Sequence, residues 1–336
     1  MTNGLEQTSS CAEIAFRGAT KQYQGRSEPA LKELTFEIPA GEICVLIGPS
    51  GCGKTTALKL VNRLIAMSSG DITIDDRSIT DLKVTQLRRQ IGYVFQQIGL
   101  FPHMTIEDNI GTVPRLLGWS KQRIRERAGE LVELVGLDPG SDLRRYPGEF
   151  SGGQQQRIGV ARAMAIDPPI MLMDEPFGAI DPITRDRLQD DFLRLHREVR
   201  KTIIFVTHDI DEAIKMGDRI AIMRDGHLLQ CDTADAILAH PADEFVADFV
   251  GADRGLKRLR VRTLRDVVLD PVTPGESDGK PAVPIATSLR DALSLMLSEG
   301  RDALAVYQEE ESDRVGTVRL EAITAALGPG GKVVSA

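Results

Sequence analysis

Residues 48 to 56, Gly48-Pro49-Ser50-Gly51-Cys52-Gly53-Lys54-Thr55-Thr56, put flexible backbone, a cation and two hydroxyls directly after the stiff apolar run ICVLI. Glycines let consecutive backbone N–H groups turn inward around an anion, and a helix starting there adds its positive N-terminus. The spacing G-x-x-x-x-G-K-[ST], met by Gly48, Gly53, Lys54 and Thr55, suits a nucleoside triphosphate. Lys54 then reaches the β- and γ-phosphates, and the Thr55 hydroxyl ligates Mg2+. A second run, IMLMDE, ends an apolar strand on Asp174 and Glu175, at the strand end where open parallel sheets bind ligands. Asp174 is placed to hold Mg2+ through water, and Glu175 to orient and polarise an attacking water. Alone, a strand ending in Asp-Glu is weak evidence. Beside a phosphate loop it is the expected partner.

Ser151-Gly152-Gly153-Gln154, within FSGGQQQR, precedes a helical pattern and makes another anion-binding N-terminus. One triphosphate does not need two such cradles in one lobe. A head-to-tail pair of copies resolves this, with Ser151 and its glycines capping the γ-phosphate held by the loop of the other copy.

Positioning these groups requires buried parallel strands. EICVLIG, PPIMLMDEP and KTIIFVTHD are continuous apolar runs, as expected of strands covered on both faces. Residues 12 to 40 alternate instead, which predicts antiparallel strands. GKTTALKLVNRL carries Leu58, Val61 and Leu64 at helical spacing, and SKQRIRERAGELVELVGL puts Ile124, Ala128, Leu131 and Val135 on one face. A charged amphipathic helix near 183 to 200 reads as a solvated face. RIAIMRDGHLLQ predicts a hairpin turning at Asp-Gly. Parallel strands alternating with helices, with a helical insert between about 105 and 165, make an α/β domain. Beyond it, RGLKRLRVRTLR carries the cations Arg254, Lys257, Arg258, Arg260, Arg262 and Arg265 and no acid, and a Pro- and Gly-rich stretch follows. This predicts an exposed linker, a candidate for salt-sensitive attraction to anionic lipid. A βαββα pattern then closes the chain as a second, small domain.

Bulk properties narrow the class. With 336 residues and 42% apolar content the chain can bury a large core, and a net charge of −8 offers no basic field for nucleic acid. The scattered Cys11, Cys44, Cys52 and Cys231 share no metal-ligand spacing and read as reduced thiols. The first residues lack a basic start followed by an apolar run, so no secretory signal is expected there, and no apolar stretch approaches the ~18 residues of a membrane span. Any membrane role is expected to come through a partner. His103, His196, His227, His240 and Trp119 read as surface or packing residues, and His208 by position alone is a strand-end residue.

Over about residues 12 to 250 the chain resembles the ATP-binding subunit of an ABC transporter. The motifs stand in order: Tyr23, the 48–56 loop, Gln96 in YVFQQIGLFPH, FSGGQQQR, Asp174-Glu175, GAID with Asp181, and VTHD with His208. The resemblance implies a RecA-like core with an antiparallel β subdomain and a helical subdomain at about 97 to 165. It assigns Tyr23 to adenine stacking, Gln96 to the nucleotide and Mg2+, Asp181 to the dimer-facing loop, and His208 to the γ-phosphate. Phe150 and Ile180 stand where leucine is usual, and both remain apolar. VNRLIAMSSGDITID, LRRQIGYVFQQIGLFPHMTIEDN, MDEPFGAIDPITRDRLQDDF and HPADEFVADFVG resemble the importers of glycine betaine, choline and carnitine. Importers of amino acids or anions, and non-transport ATPases, are the alternatives, because this subunit never touches the transported solute. The resemblance further implies ATP hydrolysis, integral permease subunits docked near Gln96 and the helical insert, indirectly a solute-binding protein, and a place at the cytoplasmic side of the membrane. After residues 251–280, a linker and the start of the tail module, residues 281–328 resemble a single CBS module, a regulatory or dimerising unit. The Thr and Asp that usually hold an adenosyl ribose fall there on Arg319 and Ala322.

Overall fold

The computed structural model describes residues 11–95, 99–178, 180–271, 281–308 and 314–326. The chain divides into two compact units, Met1–Cys231 and Asp232–Ala336.

In the first unit the alternating segments form the antiparallel strands Ile14–Lys21 and Leu31–Ile38, with Ser69–Ile74 on the far side of Ile14–Lys21. Their inward residues build one face of the core, where Phe16 stacks on Phe36 at 4.6 Å. The unbroken apolar runs form a second, six-stranded sheet. Across it lie His227–Asp232, Arg219–Arg224, Ile43–Ile47, Thr202–Val206, Ile170–Asp174 and Ile91–Val94. Ile43–Ile47, Thr202–Val206 and Ile170–Asp174 are parallel neighbours, with Leu46 and Asp174 both in register with Val206. Each is buried at every position, which is why none alternates. Three carboxyl ends therefore come out side by side. The edge turn of RIAIMRDGHLLQ uses Asp225 and Gly226, both at positive φ (49° and 83°), as a two-residue hairpin turn of matching twist requires.

Helix Lys54–Val61 stops earlier than its pattern suggests. Leu58 and Val61 are buried, but Arg63 adopts a φ of 46° and Leu64 lies beyond the end, 40% exposed. Helix Lys121–Leu134 buries Ile124, Ala128 and Leu131 as expected. Val132 joins them in place of Val135, which falls at the C-cap. Trp119 packs under the Arg123 guanidinium at 3.6 Å. Helix Pro182–Val199 is more than a solvated face: it buries Gln189, Phe192 and His196, whose Nε2 lies 2.7 Å from the Lys201 carbonyl. Among the described residues no helix is long and apolar enough to cross a membrane.

The second unit corrects the reading of the cationic run. Residues Arg254–Val261 are a helix, not an exposed linker. Arg258 and Arg262 are buried, with their Nε atoms 2.8 and 3.4 Å from Asp235 Oδ1 on helix Ala234–Ala239. Lys257 pairs with Asp253 at 2.9 Å and donates to the Val250 carbonyl. Long stems bury their methylenes, and the charges then demand a carboxylate. Leu259, Leu264 and Val267 join Val283, Leu289, Met296, Leu304 and Val318 in one core. The stretch 251–271 is thus part of this unit's packing, and the compact unit begins at Asp232. The βαββα pattern is present: Ala282–Pro284 pairs parallel with Ala303–Tyr307, which pairs antiparallel with Arg314–Arg319, and helices Leu289–Glu299 and Leu320–Ala325 complete it. Arg319 is held by Asp270.

Candidate functional site

The phosphate loop leaves strand Ile43–Ile47 and enters helix Lys54–Val61. Gly48 has a φ of 151°, and a Cβ there would come within 2.0 Å of the Met223 carbonyl oxygen. Gly53, at φ 110°, would press a Cβ to 2.6 Å from Leu31 Cδ2. Neither tolerates a side chain. Gly51 is also at positive φ but faces open space. Lys54 is buried at 8% exposure and donates from Nζ to the Gly48 carbonyl at 2.6 Å and the Pro49 carbonyl at 3.1 Å. Cys52 is buried beneath the same ammonium, with Sγ 3.7 Å away. With backbone carbonyls as its hydrogen-bond partners, the Lys54 ammonium and the curl of the loop attract an anion.

Thr55 Oγ1 donates to Asp174 Oδ1 at 3.1 Å, joining the two halves of the expected cation site. Burial pushes the Asp174 carboxyl above the usual carboxylate range; the Thr55 hydrogen bond opposes this and the Glu175 charge adds to it. A buried carboxylate in that state gains from a cation at its oxygen. Thr55 and Asp174 therefore fit Mg2+. No group of three His, Cys, Asp or Glu side chains that could hold a metal ion stands among the described residues; phosphate oxygens and water usually supply most of a Mg2+ shell. Gln96 lies outside the described residues.

Glu175 follows at φ 47°, a left-handed conformation that costs a non-glycine residue about 1 kcal/mol or more. Its N–H donates to the Val206 carbonyl at 3.0 Å, and its own carbonyl accepts from Gln156 Nε2 at 3.2 Å. Glu175 Oε1 lies 3.4 Å from His208 Nδ1, on the loop leaving the neighbouring strand. Two residues distant in sequence thus meet at one edge.

Tyr23, Ser50, Gly51, Gly53, Lys54, Thr55, Thr56 and Glu175 line one open cleft of about 480 Å³. Gln24 and Arg26, which sequence reasoning passed over, line it too. They follow Tyr23 in a polar turn, and Lys21 and Arg26 lie 5.1 and 5.9 Å from its ring. Gln156, 2% exposed, was also missed: SGGQQQR offers three adjacent glutamines and no signal for which one turns inward. Tyr93, beside Asp174, has its phenol pushed up by burial and by that carboxylate.

Ser151, Gly152, Gly153 and Gln154 do not line this cleft. Ser151 caps helix Gly152–Ala163, accepting from Gln154 N–H while Gln154 Oε1 accepts from the Ser151 N–H. Both Ser151 and Gly152 are exposed. Asp181 accepts from Thr184 N–H at 3.0 Å and caps helix Pro182–Val199; these hydrogen bonds hold its carboxyl below the usual range.

Comparison with known proteins agrees with this geometry. Residues 31–178 match the family model for ABC transporters. The osmoprotectant import ATP-binding protein OsmV of Salmonella typhimurium is 51% identical over 302 residues, 88% of this chain and 77% of that protein. The choline transport ATP-binding protein OpuBA of Bacillus subtilis is 49% identical, over 88% of this chain and 76% of its own length. The carnitine transport ATP-binding protein OpuCA of Listeria monocytogenes is 57% identical, over 72% of this chain and 60% of its own. Among solved structures, the dimeric bacterial ABC transporter cassette MJ0796 superposes with a TM-score of 0.60 at 35% identity, covering 66% of this chain and 98% of that one. A post-hydrolysis state of the same cassette, bound to ADP and Pi, matches equally well at 34% identity. With its phosphate loop, Asp174–Glu175 edge and capped Ser151 turn in place, the chain belongs to the ABC transporter family, among its ATP-binding proteins.

Proposed function

We propose that this chain is the ATP-hydrolysing subunit of an importer for quaternary-ammonium osmoprotectants such as glycine betaine, choline and carnitine. The observation that carries the hydrolytic part is the meeting of Thr55 with Asp174 and of Glu175 with His208 at the carboxyl edge of three parallel strands. The solute class is supported by the printed roles of OsmV, OpuBA and OpuCA, at 49–57% identity.

Lys54 and the backbone of 48–56 bind the phosphates, and Tyr23 offers a face for the base. Thr55 and Asp174 would hold Mg2+, with Gln96 as a further contact; the ion supplies charge neutralisation on the β- and γ-phosphates. Glu175 accepts a hydrogen bond from the attacking water and draws its proton, while His208 contacts the γ-phosphate. Ser151, Gly152 and Gly153 serve the nucleotide of a second copy, with Asp181 at the same interface, so two copies close over two nucleotides. That closure moves integral permease subunits, placing the protein at the cytoplasmic side of a membrane, with a solute-binding protein acting on the far side. Residues 281–328 act as a CBS-like regulatory or dimerising module.

Co-purification with a membrane permease, followed by reconstitution, tests this. Uptake of radiolabelled glycine betaine or choline should require ATP and be lost in Glu175→Gln. Uptake of an amino acid instead would replace the solute, and hydrolysis with no permease bound would replace the transport role.

A further inference from the structure

Behind His208, the first unit buries polar groups that the phosphate cleft does not use. Helix Ile210–Met216 begins just after His208 and buries Glu212 at 9% exposure, while helix Pro182–Val199 buries Gln189 at 4%. Gln189 Nε2 donates to Glu212 Oε1 at 2.8 Å, and the Glu212 N–H donates to Asp209 Oδ1, in the residue after His208, at 3.3 Å. Thr207, 2% exposed, donates its backbone N–H to the Leu46 carbonyl and accepts from Asp209 N–H at Oγ1. One turn before Gln189, Arg185 donates from Nη2 to the Ile180 carbonyl at 2.9 Å, next to Asp181. Polar contacts thus run from the loop carrying Asp181, along one helix, across to the residue before His208.

Helix formation does not require this network. Asp209 already caps helix Ile210–Met216, accepting from the N–H groups of Asp211 and Glu212. An apolar residue at 212 would fill the site without the cost of burying a carboxyl. Burial does raise the Glu212 carboxyl above its usual range, with the Thr207 and Gln189 hydrogen bonds acting the other way. What a satisfied buried polar network does supply is a single arrangement of the elements it joins. Here those elements are the helix that starts at Asp181 and the strand end that presents His208 to Glu175.

Building on the ATPase reading above, we propose that Glu212, held by Gln189, is a positioning residue for hydrolysis: it keeps His208 in register with Glu175 and ties both to the Asp181 segment. Glu212→Ala leaves the Gln189 amide without its acceptor and frees the His208 loop to shift. A shift of about 1 Å at a catalytic group costs on the order of a hundredfold in rate.

The test uses the full chain and Mg·ATP, with two readouts. In Glu212→Ala, kcat should fall about 10- to 100-fold while ATP affinity stays within about twofold. The His208 imidazole Cε1–H resonance, assigned by its loss in His208→Asn, should move. Glu212→Gln keeps an acceptor for Gln189 and a polar group against Thr207, and should restore most of the rate and the native resonance position. If Glu212→Ala melts below the assay temperature, Gln189→Leu carries the same split. Native kcat in Glu212→Ala overturns the proposal, as does lost activity with the His208 resonance unmoved, which would mark a purely structural role. If the native chain shows no Mg·ATP hydrolysis that Glu175→Gln removes, the ATPase reading fails; the resonance then decides the positioning claim by itself.

Discussion

Two glycine-bearing turns feed two helices in this protein, and they differ in what makes glycine necessary. Gly48 and Gly53 sit at φ 151° and 110°, with Met223 and Leu31 filling the space a Cβ would take. Their own fold forbids a side chain. Gly152 has nothing within 4 Å of its Cβ position, Gly153 meets only ordinary contact with Ile180 at 3.6 Å, and neither is at positive φ. Ser151 and Gln154 already complete the helix cap there. The first turn is fixed by packing within its own unit. The second offers bare backbone outward, which is what close approach by a surface from another molecule requires.

Several substitutions would break or sharpen this contrast. Glu175→Gln should have the largest effect, lowering turnover about a thousandfold by removing the group that orients the water. ATP binding should survive, and light scattering with ATP should report a stable dimer in which each Ser151 turn meets the other copy's phosphate loop. A variant that remains monomeric with ATP would mean that the second turn has no nucleotide to meet.

Next, Lys54→Ala should weaken ATP binding by about 10- to 100-fold, since a charge-assisted contact is lost. Ser151→Ala should leave binding unchanged and lower turnover about tenfold. Mixing the two variants should restore one composite site, read as hydrolysis above either parent. Mixed dimers that form but show no activity above either parent would mean either that the two sites do not act independently or that Ser151 does not serve the other copy's nucleotide.

A smaller effect separates the glycines directly. Gly48→Ala should cost roughly 2–3 kcal/mol of stability through overlap with the Met223 carbonyl. Gly152→Ala should leave Tm unchanged while reducing ATP-dependent dimerisation. If both variants melt alike, the steric distinction is wrong.

The smallest expected effect is a pH dependence from the buried wall behind the first turn. Burial raises the Glu212 carboxyl above its ordinary value of 4.5. A carboxyl raised in the folded state is better tolerated protonated, so its stabilising contribution is complete below 4.5 and is lost as pH rises through the raised folded value. The Tm of the native chain should therefore fall relative to that of Glu212→Gln between pH 4.5 and neutrality. Gly152→Ala, which touches no titrating group, should parallel the native curve. A native curve parallel to that of Glu212→Gln would mean that Glu212 does not titrate with folding.

Much of the site was legible because its chemistry is local. Lys54 and Thr55 follow their glycines directly, and Asp174 and Glu175 end an apolar run, so type and spacing identify them without tertiary information. Asp225-Gly226 was legible for the same reason, since a hairpin turn is written in its two residues. Gln156 and Glu212 were not legible, because their roles come from partners about twenty residues away along the chain: the Glu175 carbonyl and Gln189. The cationic run misled for a related reason. Six positive charges without an acid look solvated, and the balancing Asp235 lies about twenty residues upstream.

By itself, then, the sequence determined the anion-binding loop, the two carboxylates and the parallel strands that carry them, since each depends on neighbours within a few residues. Only the tertiary structure decided that His208 meets Glu175 across two strand ends, that Glu175 takes a left-handed turn, and that Arg258 and Arg262 fold inward on Asp235. Those outcomes depend on which strands become neighbours and which charges lose their water. Such quantities exist only once the chain has closed on itself.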